Sequence, residues 1–157
     1  MWVDVRQGYV RGFIMSPGWV GPKDIRFTLD ELHDIIGADE LSICHAYIGF
    51  LRFVLLTGRS VGDHMRPTVI DTCGRVFGPT IVFSGSLGVD GMGSVSDWEC
   101  EYLESALELI AYRFDDGVEV DAIVLRMSPT VDETWSSDMS KRILERIKSK
   151  SAGINNG

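Results

Sequence analysis

The sequence predicts an α+β fold, a mostly antiparallel or mixed sheet of about five to six strands packed with two to three helices. Three observations point there. Between Leu41 and Ser84, strand-like segments follow one another with no helical pattern between them. Two Ser/Thr-x-x-Glu words, Thr28 to Glu31 and Ser96 to Glu99, each open an apolar run at helical spacing. The 157 residues fit one domain with an ordinary core.

Val10 to Met15 is rich in apolar and β-branched residues and reads as the first strand. A helix follows from Leu29 to Ile36. Thr28 and Glu31 suggest a capping box, Leu29, Leu32, Ile35 and Ile36 form one apolar face, and Gly37 supplies the stop. Four strands come next: Leu41 to His45, Phe50 to Thr57, Pro67 to Asp71 and Pro79 to Ser84, with Arg59 to His64 as a loop. The second helix opens at Ser96 and Glu99 and is expected to run to about Phe114. Trp98, Tyr102, Ala106, Leu109 and Ala111 to Phe114, with Leu103, Leu107 and Ile110, would form its broad apolar face. Asp115-Asp116-Gly117 carries turn chemistry. Val120 to Met127 reads as a further strand. Asp138 to Lys148 reads as a third helix, with Met139, Ile143, Leu144 and Ile147 at helical spacing. Residues 1–150 are expected to form a single α+β domain and 151–157 a flexible tail.

Charge is unevenly placed. The net charge is −8, which disfavours nucleic acid and anionic membranes as partners. Residues 97–121 hold nine acids and one base, and 141–150 hold five bases and one acid. Three scattered cysteines, Cys44, Cys73 and Cys100, argue against a disulfide scaffold. The N-terminus lacks a signal-peptide pattern, and Arg52 interrupts the longest apolar run. The expectation is a soluble, cytoplasmic chain with no membrane partner.

Four constellations bear on chemistry. The strand Ile81 to Ser84 opens into a loop with Gly85, Gly88, Gly91 and Gly93, then Ser94 and a helix start. Such a loop permits close backbone approach to an anion at a helix N-terminus. Its spacing matches neither a dinucleotide fingerprint nor a phosphate loop, and Asp90 and Asp97 stand nearby. Cys44 and His45 are strand neighbours, so they point to opposite faces, one to core and one to surface, and share no metal. Cys73 sits in a turn beside Arg75, and Ser84-Gly85-Ser86 lacks the nucleophile-elbow pattern. Glu101, Glu104 and Glu108 lie at helical spacings of three and four, so they would share one solvated face. No metal ligand set, cofactor or catalytic residue is assigned.

Several local words resemble a family of short domains of unknown function found in phages, plasmids and other prokaryotic genomes. They are Gly12 to Gly18, Thr28 to Leu32, Ile36-Gly37, Phe53 to Leu56, Arg66 to Thr68, Val76 to Phe83 and Ser94 to Leu103. The resemblance spans roughly residues 10 to 110. The segment from about Val118 to Lys150 and the glycine-rich loop depart from it. It implies an α+β fold and a mobile-element setting, and supplies no catalytic residues.

These readings favour a non-enzymatic accessory protein that binds another protein, such as a host protein, through an acidic helical surface containing Glu101, Glu104 and Glu108. The alternative is a binder of a nucleotide or other anion that uses residues 81–98, with Gly85, Gly88, Gly91, Gly93 and Ser94 as contacts. Oligomeric state is left open, a homodimer included.

Overall fold

The computed structural model describes residues 9–16, 19–37, 41–58, 69–71, 76–85, 92–113, 117, 119–127 and 129–131. Among these residues, ten strands and two helices occur in this order: β1 (Tyr9–Ser16), β2 (Trp19–Arg26), α1 (Leu29–Ile36), β3 (Leu41–Ile48), β4 (Leu51–Gly58), β5 (Val69–Asp71), β6 (Val76–Phe77), β7 (Thr80–Ser84), α2 (Asp97–Ser105), β8 (Leu107–Arg113), β9 (Glu119–Leu125) and β10 (Thr130–Val131). The α+β expectation holds.

Six strands form one antiparallel sheet in the order β10-β3-β4-β7-β1-β2. Four form a second sheet, β6-β5-β9-β8, in which β5 and β9 are parallel. Alternation along the large sheet buries both of its faces. Val10, Ile14, Val54, Leu56, Ile81 and Phe83 meet Ile25, Phe27 and the α1 residues Leu32 and Ile36. Phe13, Met15, Phe53, Leu55 and Val82 meet α2 and the small sheet through Cys100, Leu103, Val69, Ile123 and Leu125. The period-two pattern, apolar on both phases in β4 and β7, is the signature of a sheet covered on each side.

That double cover corrects one expectation. Cys44 and His45 do point to opposite faces, but neither face is solvent: His45 is fully buried and Cys44 half-buried against the second core. A second correction concerns α1. Thr28 occupies the N-cap position without a side-chain cap bond. The Thr28 N–H donates to the Arg26 carbonyl at 2.9 Å, so the donor that a capping box would offer Glu31 is already used. The predicted stop holds: Gly37 is left-handed at φ 74° and donates to the His33 carbonyl.

The largest correction is α2. It ends at Ser105, and Leu107–Arg113 is a strand paired with β9 over seven residues. At the junction the Ala106 N–H donates to the Leu103 carbonyl at 3.0 Å, and Ala106 accepts from the Arg126 N–H at 2.8 Å. A tight last turn there hands the backbone from helix to ladder. Glu108 therefore lies off the helix, and Leu109, expected on the buried helical face, is 65% exposed. β2 is a further strand that the sequence pattern hides. It holds Gly21 and Pro22, which suit an edge strand, and among the described residues β2 is an edge of the large sheet. The third helix at Asp138 to Lys148, the loop at Arg59 to His64 and the 151–157 tail lie outside the described residues. Among the described residues no helix is long and apolar enough to cross a membrane.

Candidate functional site

Two candidate regions meet at the start of α2. The first is the glycine-rich segment. Its ends are joined: Ser84 and Gly93 exchange both backbone hydrogen bonds, at 3.0 and 2.9 Å. The Gly85 N–H donates to the Arg52 carbonyl at 2.9 Å, and a Cβ on Gly85 would stand 2.8 Å from that backbone. Gly85 is thus required by packing against β4. The Ser94 hydroxyl accepts from the Arg11 N–H at 2.9 Å, and the Val95 N–H donates to the Arg11 carbonyl at 2.9 Å. Gly88 and Gly91 lie outside the described residues.

The helix N-terminus is capped by its own side chains. Ser96 and Glu99 form the predicted capping box: Glu99 Oε1 accepts from the Ser96 N–H at 2.9 Å, and Ser96 Oγ accepts from the Glu99 N–H at 3.1 Å. Glu99 is consequently buried, a carboxylate spent on capping. Arg11 Nη1 donates to Asp97 Oδ1 at 2.6 Å. That bond holds the Arg11 pKa above its usual value against the opposing effect of burial. The N–H groups of Gly85, Gly93, Ser96 and Glu99, four of the donors that could cradle an anion there, are already used within the chain.

The second region is the outer side of α2. Cys100, Leu103 and Ala106 point into the core. Asp97, Trp98, Glu101, Glu104 and Ser105 are exposed. Glu108 is exposed on β8, where Arg126 Nη2 lies 3.5 Å from its Oε2. The structure thus brings Glu101 and Glu104 onto one helix and sets Glu108 on the adjoining strand.

An aromatic row runs beside these acids. Phe53, in the core, stacks on Tyr102 with centroids 6.4 Å apart, and Tyr102 stacks on Trp98 at 6.0 Å. The row passes from a fully buried ring to Trp98, which is 60% exposed. The Tyr102 hydroxyl donates to the Ile48 carbonyl at 2.9 Å and accepts from the Phe50 N–H at 3.3 Å. It thereby pins the two-residue turn Gly49-Phe50 between β3 and β4. Gly49 has φ 63°, and no non-glycine described residue has positive φ, which fits a hairpin with glycine at the first turn position. Phe50 projects from that turn at 93% exposure.

Sequence reading missed both exposed rings. Trp98 was expected on the buried face, and Phe50 inside a strand. The signal for Trp98 was its place between Asp97 and the inward-facing Glu99 and Cys100; the signal for Phe50 was the glycine before it.

Other chemistry is sparse. Burial pushes the Cys100 thiol pKa up, with Arg11 opposing. Cys73 lies outside the described residues. No cluster of three His, Cys, Asp or Glu among the described residues is arranged to hold a metal ion. A cavity of about 10 Å³ between the two sheets, lined by Met15, Leu55, Val69 and Leu125, has room for about one water. The chain matches no known protein family, no curated protein and no solved structure.

Proposed function

We propose that the chain is a non-enzymatic accessory protein that binds another protein through the outer side of α2. One observation carries this reading: Trp98 stands 60% exposed beside the exposed Glu101 and Glu104. A large ring held by a stack on Tyr102 is ordered before any partner arrives, so docking on it costs little side-chain entropy. Tryptophan is among the residues that most often anchor interfaces. The flanking carboxylates select a partner with basic groups and raise its association rate. A host protein in the cytoplasm is the partner this reading adopts.

The competing reading, an anion or nucleotide held by residues 81–98, has the hydrogen bonds of Gly85, Gly93 and Ser94 against it. Thermal-shift measurements separate the two, because a ligand of the native state raises its melting temperature. Millimolar nucleotides are expected to give no shift.

The direct experiment is affinity capture from extract with the wild-type chain and with a Glu101→Lys/Glu104→Lys/Glu108→Lys variant. The expected result is a partner retained by the first and lost by the second. Identical capture by both would end the proposal.

A further inference from the structure

Three aromatic rings that reach the surface hold a cation of their own chain. Arg26 lies over Tyr9 at 5.6 Å, Lys23 over Trp19 at 5.4 Å and Arg52 over Tyr47 at 5.2 Å, each measured to the ring centroid. Trp98 differs. Among the described residues no cation stands over it, and the exposed charges beside it on α2 are the carboxylates Asp97, Glu101 and Glu104. We infer that Trp98 and Glu101 form an arginine-binding subsite, in which the guanidinium of an arginine on the partner protein lies against the outer face of the indole and pairs with the Glu101 carboxylate. The inference deepens the reading of α2 given above and rests on it.

The helix assembles the subsite. Tyr102 stacks on one face of the indole, with centroids 6.0 Å apart and the rings inclined by 29°. With Trp98 60% exposed, the opposite face is left to solvent. Glu101 lies three residues along the helix and Tyr102 four, so they flank Trp98 on either side. Helical side chains lean toward the N-terminus, which carries the Glu101 carboxylate back toward the ring. The other nearby acids are occupied or farther along. Asp97 is held by Arg11 at 2.6 Å, Glu99 is spent in the capping box, and Glu104 stands a further turn from the indole. Glu101 is exposed and takes part in no ion pair among the described residues.

Chemistry selects arginine. A guanidinium is planar and weakly hydrated, so it stacks flat on an indole while its N–H edge still reaches a carboxylate in a two-bond fork. A lysine ammonium is compact and strongly hydrated, and cannot serve ring and carboxylate in one plane. An anionic ligand meets like charge here. The positive end of the α2 dipole opposes a cation, but Asp97 and Glu99 in the first turn offset it. Phe50 is the more exposed ring, yet its turn carries no carboxylate to hold a cation.

Titration of the full chain, followed by nuclear magnetic resonance, tests the subsite. The probes are two blocked alanine-based peptides that differ only in carrying arginine or lysine at the same positions. The Trp98 indole N–H signal, identified by its loss in Trp98→Leu, reports on the ring, and the α2 backbone amides report on every variant. The arginine peptide is expected to shift the Trp98 signal and to bind about twofold to fivefold tighter than the lysine peptide, the ratio that a surface cation–π contact gives. The preference should persist at about 0.5 M salt, where screening weakens both peptides alike. Trp98→Leu should abolish the preference and leave the lysine peptide bound, whereas loss of the fold would release both. Glu101→Gln should weaken the arginine peptide by about threefold. Asp30→Asn, on the exposed side of α1, should change neither affinity.

Equal affinity for the two peptides overturns the inference. So does an arginine preference that survives Trp98→Leu, or an arginine peptide that leaves the Trp98 signal unmoved at millimolar concentration. Extract capture is judged apart. A partner lost from the charge-reversed variant keeps the α2 reading intact even when the peptides bind alike, and identical capture ends that reading whatever the peptides do.

Discussion

The Tyr102 hydroxyl donates to the Ile48 carbonyl at 2.9 Å, joining α2 to the β3–β4 hairpin across 54 residues of sequence. The same oxygen accepts from the Phe50 N–H. One phenol therefore satisfies both polar groups of a tight turn and holds the stack that presents Trp98.

Removing that oxygen leaves the Ile48 carbonyl and the Phe50 N–H without their side-chain partner. Tyr102→Phe is expected to cost roughly 1–2 kcal/mol, read by urea unfolding. Full stability in the variant would show that the turn is held by its own backbone.

Gly49→Ala should be worse. Its φ of 63° strains an alanine, and the new Cβ would collide with the Tyr102 hydroxyl oxygen. A double-mutant cycle with Tyr102→Phe should show coupling of about 0.5–3 kcal/mol, because removing the oxygen relieves the clash. Strict additivity would contradict the contact.

Ser96→Ala removes one half of the capping box and should destabilise by about 1 kcal/mol. It leaves the buried Glu99 with only its own half of the box, the bond from the Ser96 N–H. A melting temperature equal to the wild type would place the helix start under another control.

Cys100 gives a pH signature. Burial raises its pKa in the folded chain, so the folded state holds the thiol proton more tightly than the unfolded state does. The stability gained is complete below the unfolded value of about 8.5 and is lost as pH rises through the folded value. Melting temperatures should therefore fall more steeply above that pH in the wild type than in Cys100→Ala. Parallel slopes would show that the thiol titrates normally.

Much of this fold is written locally. The Ser96–Glu99 box, the Gly37 stop and the strands of the central sheet follow from residue chemistry over a few positions. Leu107 to Arg113 is different. Its apolar residues fit a helix continued from Tyr102 and also fit alternation along a strand. Pairing with β9, which no local pattern reveals, decides between them. Tertiary pairing likewise makes β2 a strand despite Gly21 and Pro22. The acidic residues of the candidate site were legible as charge. That Glu108 leaves the helix, and that Trp98 faces outward, depended on where α2 stops and which side it buries.

The central claim is that the outer side of α2 is where another protein sits. Carbodiimide labelling of carboxylates, read by mass spectrometry in the free chain and in the captured complex, measures this residue by residue. Glu101 and Glu104 should label readily in the free chain and become protected in the complex, while Asp30 and Asp34 on the exposed side of α1 stay unchanged. Equal labelling of Glu101 and Glu104 in both states, with protection elsewhere, would contradict it.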